Sequence, residues 1–214
     1  MVTSPPRRPR VGVLAVQGAF AEHEAVLATV GAEPCQVRGP QELEGLDAIV
    51  IPGGESTTLG LVAEESGLLE ALRARLAGGM PALGTCAGMV VLARATTGGP
   101  QPLVGGMDIV VRRNAFGRQR SSFETSLEVP ALGTGPVDAV FIRAPWIEEA
   151  GPEVEILAEH SGHPVAARQG DLLVTAFHPE LSGERRFHEW LVERARRPRG
   201  SEGREGRRER VRTQ

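Results

Sequence analysis

The stretch Gly79–Ala93, "GMPALGTCAGMVVLA", decides the fold class. "MPALGTCAG" reads as a strand and a turn, and "MVVLARA" directly after it reads as a helix. At the joint lies Cys86, one of two cysteines in the chain, flanked by Gly84, Ala87 and Gly88. A buried structural cysteine wants bulky apolar neighbours, and these have almost no side chain. Set at the end of a strand and before a helix, Gly-Thr-Cys-Ala-Gly is the cysteine form of the nucleophile elbow. There a sharp, strained turn leaves no room for neighbouring Cβ atoms. A helix N-terminus also favours a thiolate, and the Ala87 N–H would face an oxyanion formed on the carbon under attack. A small buried cysteine in a tight strand-to-helix connection fits the same composition, so the segment by itself leaves both readings open.

Outward from this joint the pattern repeats. "RVGVLAVQG" (Arg10–Gly18) is a β-rich apolar run, and "AFAEHEAVLATVG" sets Phe20, Val26, Leu27 and Val30 roughly on one helical face. "CQVRG" reads as a short strand and "LDAIVIPGGES" (Leu46–Ser56) as a buried strand ending in a Gly turn. "TTLGLVAEESGLLEALRARLAGG" reads as a helical stretch broken near Ser66-Gly67. Strands apolar on both faces that alternate with helices predict an α/β three-layer sandwich, its central sheet mostly parallel and flanked by helices. The second half adds a short antiparallel portion: "SSFETSLEVP", "VDAVFIRAP", "EVEILAEHSG", "PVAARQGD" and "LLVTAFHPEL" are short strands between Gly, Pro and Asp turns. "ERRFHEWLVERARR" closes the domain as a helix with Phe187, Trp190 and Leu191 inward. Residues 11–197 are expected to form one domain, after a flexible segment over 1–10. The Arg, Glu and Gly composition of 198–214 predicts a disordered tail.

Composition removes several function classes. With 214 residues, 41% hydrophobic and 24% charged, the chain suits one sizeable soluble core. A net charge of −3 gives no case for a nucleic-acid partner. Cys35 and Cys86 make no disulfide framework, no Cys/His cluster has zinc spacing, and no run approaches the ~18 apolar residues of a membrane helix. "MVTSPPRRPR" leads straight into a strand without a signal peptide's apolar run, so a cytoplasmic protein with no membrane association is expected. All 24 basic residues are Arg. Without Lys, neither a Walker phosphate loop nor Schiff-base catalysis is available.

A thiol nucleophile needs a base. His23 and His188 lie on predicted helices among charged residues and read as solvated faces or interfaces, while His160 and His163 flank a hairpin turn at Ser161-Gly162. His178 follows the strand "LLVTAF" and opens "HPE", with Glu180 two residues on and Pro179 excluding a regular helix between them. A His at a strand end with a carboxylate to orient its far nitrogen matches the base and orienter of a Cys-His-acid triad. "IVIPGGEST" ends its strand in two glycines, whose N–H groups would face the crevice beyond the strand ends, where open parallel sheets bind ligands.

"PGGES", "GTCAG" and "FHPE", in this order, resemble the class I (triad) glutamine amidotransferases, a resemblance that runs from about Val11 to Arg194. "VGVLAVQGAFAEHEAVL" and "RRNAFGRQRSSFE" narrow it to the glutaminase subunits of pyridoxal 5′-phosphate synthases. The resemblance implies Cys86 as nucleophile, His178 as general base and acid, and Glu180 as orienter. It implies an oxyanion hole of the Gly54 and Ala87 N–H groups, with the Gly53-Gly54 peptide able to reorient on activation. Glutamine contacts are implied at Gly53, Gly54, Glu55, Ser56, Arg113, Ile142 and Arg143. Arg112, Arg118 and Arg120 stand near enough to Arg113 to compete for that role. The implied reaction converts L-glutamine to L-glutamate and ammonia through a γ-glutamyl thioester, without cofactor or metal. The implied partner is the separate lyase subunit of the synthase, in a large hetero-oligomer that uses the ammonia.

Overall fold

The computed structural model describes residues 7–97, 99–117 and 122–197. The strands are β1 (Arg10–Leu14), β2 (Glu33–Val37), β3 (Ala48–Ile51), β4 (Ala82–Thr85), β5 (Ala93–Thr96), β6 (Met107–Arg112) and β7 (Ser122–Leu127). They continue with β8 (Val137–Ile142), β9 (Trp146–Ala150), β10 (Glu155–His160), β11 (His163–Gln169) and β12 (Leu172–Thr175). The helices are α1 (Phe20–Thr29), α2 (Ser56–Glu65), α3 (Leu68–Ala77), α4 (Ala87–Leu92) and α5 (Arg186–Ala195).

Seven strands form the central sheet in the order β10-β11-β12-β4-β3-β1-β2. From β12 to β2 every pairing is parallel, and β11 runs against both of its neighbours. All residues of β3 and β4 are buried, as expected of strands covered on both faces. Helices α1 and α5 pack together against β1, β3 and β4, while α2, α3 and α4 form a second group. The α/β sandwich expected from the sequence is therefore present, and the helical stretch after β3 breaks at Ser66-Gly67 as predicted.

Two elements differ from the sequence reading. "MVVLARA" does not stay helical: α4 ends at Leu92 and Ala93 enters β5 directly. Strands β6 and β9 join β5 in a three-stranded sheet, and β7 pairs with β8 in a separate antiparallel hairpin. Of the segment 1–10 that reads as flexible, residues 7–10 are described: the Arg7 guanidinium donates to both Asp47 oxygens at 2.8 and 2.9 Å, and the Arg10 N–H donates to Asp47 at 2.7 Å. Residues 1–6 and the Arg-rich stretch 198–214 lie outside the described residues. Among the described residues no helix is long and apolar enough to cross a membrane.

Chain order fixes where a site can form. From β1 the chain moves outward to β2, then returns to β3 on the other side, so the direction of winding switches between β1 and β3. Ligands in open parallel sheets bind beyond the carboxyl ends of the strands at such a point. Four adjacent strands, β1, β3, β4 and β12, end there, and lead into Gln17-Gly18, Gly53-Gly54, Cys86 and His178. The approach is close. A Cβ on Gly88, in the first turn of α4, would stand 2.0 Å from the Ile51 carbonyl oxygen, so the helix rests its bare backbone on the end of β3.

Candidate active site

Cys86 is the single residue between β4 and α4, at φ +49 and ψ −100. A non-glycine residue held at positive φ is strained, and the surroundings must hold it there. Its N–H donates to the Thr175 carbonyl at 2.7 Å, which ties the turn to β12, and its Sγ lies 3.7 Å from the Ile142 carbonyl. His178 follows β12, with its N–H donating to the Val140 carbonyl at 2.9 Å. Pro179–Leu181 then form a single 3-10 turn that brings Glu180 back beneath the imidazole. His178 Nδ1 donates to Glu180 Oε1 at 2.7 Å, and both side chains are buried. The other side of the ring is closed by backbone: a Cβ on Gly53 would lie 2.2 Å from His178 Cε1.

The electrostatics follow from this packing. Burial by itself would pull the His178 pKa down. The hydrogen bonds and charges of Cys86 and Glu180 outweigh it and push the imidazole up to about 10. Burial works on Glu180 in the opposite sense, yet the bonds from His178 and His23 hold its carboxyl well below the usual carboxylate range. His178 is thus a cation at neutral pH, between a sulfur and a carboxylate.

A cavity of about 250 Å³ opens over this pair, lined by Gly53, Gly54, Glu55, Ser56, Cys86, Ala87, Arg113, Ile142, Arg143 and His178. Every site residue expected from the sequence lies in this wall except Glu180, which stands behind His178. Four non-glycine residues among those described have positive φ, and three of them, Cys86, Asn114 and Arg143, line the cavity. Such strain gathers where function demands it. Glu55 caps α2, accepting from the Thr57 and Thr58 N–H groups at 3.1 and 2.7 Å. Burial raises its pKa, but the bonds from Thr58 and Thr57 prevail and lower it to about 2. The same carboxylate holds Arg113 at 2.9 Å and keeps that guanidinium in the wall. Of the competing arginines, Arg112 pairs with Glu148 at 2.6 Å outside the cavity, and Arg118 and Arg120 lie outside the described residues.

Two histidines read as solvated or interfacial prove to be fully buried. His23 on α1 and His188 on α5 meet beneath the sheet end, Nδ1 to Nε2 at 2.8 Å. His23 Nε2 lies 3.2 Å from the Thr85 hydroxyl and 3.4 Å from Glu180 Oε1. A signal was available: His23 continues the helical stripe Phe20, Leu27 and Val30, where a polar residue needs a buried partner. Gly18, Ala19 and Asn114 also line the cavity and were not among the expected site residues.

Comparison with known proteins gives the family. The chain belongs to the SNO glutamine amidotransferase family, whose profile matches residues 13–197. It is 58% identical over 189 residues to the pyridoxal 5′-phosphate synthase subunit PdxT of Mycolicibacterium vanbaalenii, covering 86% of this chain and 96% of that one. It is 55% identical over 190 residues to the PdxT subunit of Frankia casuarinae, covering 88% and 96%. A crystal structure of a glutamine amidotransferase superposes with a TM-score of 0.82 at 47% identity, covering 86% of this chain and 98% of the other.

Proposed function

We propose that this chain hydrolyses L-glutamine to L-glutamate and ammonia, as the glutaminase subunit of a cytoplasmic pyridoxal 5′-phosphate synthase. The observation that carries the reading is Cys86, strained at φ +49 in the wall of a cavity it shares with His178, whose Nδ1 bonds the buried Glu180.

The Cys86 thiolate attacks the side-chain amide carbon of glutamine, and the carbonyl electrons move onto oxygen. The N–H groups of Gly54 and Ala87 hold that oxyanion, a contribution of about 10²–10³ in rate for one donor in comparable sites. Imidazolium His178 gives its proton to the amide nitrogen, the C–N bond breaks and ammonia leaves. Neutral His178 then takes a proton from water as the water adds to the γ-glutamyl thioester. Collapse of that second adduct releases glutamate and restores the ion pair. Glu180 keeps the far nitrogen of the ring protonated and in line throughout. Arg113, set by Glu55, and Arg143 suit the α-carboxylate of the substrate. Gly53, Gly54, Glu55, Ser56 and Ile142 complete the substrate wall.

The relatives named PdxT are subunits of a pyridoxal 5′-phosphate synthase, and on this reading the ammonia passes to a separate lyase subunit in a large hetero-oligomer. Hydrolysis without that partner wastes glutamine, and the Gly53-Gly54 turn supplies a switch. The Gly53 carbonyl lies against Gly18, where a Cβ would stand 1.8 Å from the oxygen, and the Gln17 amide donates to the Glu55 carbonyl. The segment entering α1 therefore touches the turn on two sides. A partner seated near α1 biases the peptide towards presenting the Gly54 N–H, a two-state shift of a few kcal/mol.

The test is glutamate release from saturating glutamine while the lyase subunit is titrated against fixed enzyme. Turnover rises from a low basal rate to a plateau at the stoichiometry of the complex. A flat response while light scattering shows the complex forming removes the coupling. No glutamate under either condition overturns the glutaminase reading itself.

A further inference from the structure

Behind the triad lies a buried hydrogen-bonded chain that the hydrolysis described above does not use. We infer that His23, backed by His188, is a positioning residue for Glu180, so that five side chains and not three set the geometry of Cys86 and its base. The inference rests on the reading of Cys86, His178 and Glu180 as a catalytic unit.

Glu180 is held by little else. Its Oε1 takes the His178 Nδ1 hydrogen at 2.7 Å and faces His23 Nε2 at 3.4 Å, while Oε2 is buried with no hydrogen-bond partner among the described residues. A carboxylate fastened through one oxygen can rotate about that contact, and the second contact on the same oxygen fixes the rotation. His23 supplies it from α1, and reaches the nucleophile's side of the site through the Thr85 hydroxyl at 3.2 Å, one residue before Cys86.

The direction of the chain can be read from its far end. His188 is fully buried, and above all burial drives its pKa down to about 3, so the ring carries one hydrogen at neutral pH. Its Nδ1 has no hydrogen-bond partner among the described residues, whereas Nε2 stands 2.8 Å from His23 Nδ1. An orphaned buried N–H is costlier than a bare lone pair, so the hydrogen is on Nε2 and donates to His23. His23 Nδ1 is then a lone pair and its hydrogen sits on Nε2, aimed at Glu180. The ionisable groups facing His23 are His188 from α5 and Glu180 from the 3-10 turn, with β4 contributing the Thr85 hydroxyl. His178 is reached through Glu180.

The test uses a Cys35→Ala background, in which Cys86 is the one thiol, and compares His23→Leu with His23→Gln. Leucine fills the space without a donor; glutamine places an amide N–H near the position of Nε2. In His23→Leu, iodoacetamide alkylation of Cys86 at pH 6.5 slows about tenfold, because a wandering Glu180 supports the His178 imidazolium less well. In the complex with the lyase subunit kcat falls by about 10–100-fold with KM within about twofold, and glutamine at position 23 restores most of both. A merely structural role would impair the Leu and Gln variants alike, in step with their melting temperatures, and that result overturns the inference. So does an alkylation profile in His23→Leu that superimposes on its parent. Should His23→Leu not fold, ¹⁵N-histidine spectra of the unmutated protein decide: His23 and His188 both carry the hydrogen on Nε2, and a hydrogen on either Nδ1 refutes the chain. Wild-type protein that releases no glutamate while the alkylation difference persists removes the substrate assignment and leaves the positioning role standing.

Discussion

Cys86 and Cys35 show how far environment separates two copies of one side chain. Cys35 sits half-buried on β2, its Sγ 3.9 Å from the Val11 carbonyl, and burial pushes its thiol pKa up. Cys86 faces the cavity beside His178. Cys86→Ala is expected to abolish glutamate release with the melting temperature within a few degrees, since a small residue suits the elbow, whereas Cys35→Ala keeps most activity. Equal loss in both would move the nucleophile elsewhere. His178→Asn is expected to lower turnover by orders of magnitude, and Glu180→Gln by less, because the amide oxygen can still accept from Nδ1. Near-normal turnover in His178→Asn would assign the base to another residue. His178 and Glu180 were legible because they are two residues apart in one motif. His23 and His188 were not, for their contact spans 165 positions and each is hidden among charged neighbours on its own helix.

At the scale of elements, apolar periodicity was a reliable guide wherever an element buries a whole face. Helix α5 turns Phe187, Trp190 and Leu191 inward as its 3.6-residue spacing requires, and β3 and β4 are buried along their length. It misled at Ala93–Thr96, where good helix formers leave α4 and become β5, because pairing with β6 outweighs local propensity. Nothing in "ARAT" announces a partner that lies beyond the next loop. The joint between β3 and α4 gives the test proper to this scale. Gly88→Ala would drive a methyl against the Ile51 carbonyl, a backbone atom that cannot step aside. We expect a loss of about 1–3 kcal/mol in urea unfolding, with activity falling as the Cys86 turn is displaced. A midpoint equal to wild type would show that the helix can lift from the strand.

For the whole molecule, buried His188 makes folding stability depend on acid. His188 has a pKa of about 3 in the fold and an ordinary value near 6.5 when unfolded. Between these values the unfolded chain holds a proton that the native chain lacks, so stability falls as pH drops from about 6.5, by up to about 1.4 kcal/mol per unit for that one group. Glu180 acts in the same direction below 4.5, its depressed carboxyl adding stability that is lost as it is forced to protonate. Denaturant midpoints between pH 7 and 4 are expected to slope downward on acidification, and to flatten above pH 4.5 in His188→Leu. An unchanged slope would mean that His188 does not titrate on unfolding. The sheet and both helix groups could be read from the sequence. This acid limb could not, because it arises from side chains brought together only when α1 and α5 close over the strand ends.

The bare backbone in and behind the site bears on how such a chain can diverge. Gly53 lies against the His178 ring and Gly88 against Ile51, so at both places even a single methyl has nowhere to go. In a saturation library selected for glutamate release, positions 53 and 88 would be as closed as 86 and 178, although they contribute no reactive group. Permitted drift is left to the exposed rim, where Leu181 remains 44% accessible. Lineages can thus alter what meets the mouth of the site while the chemistry beneath it stays frozen.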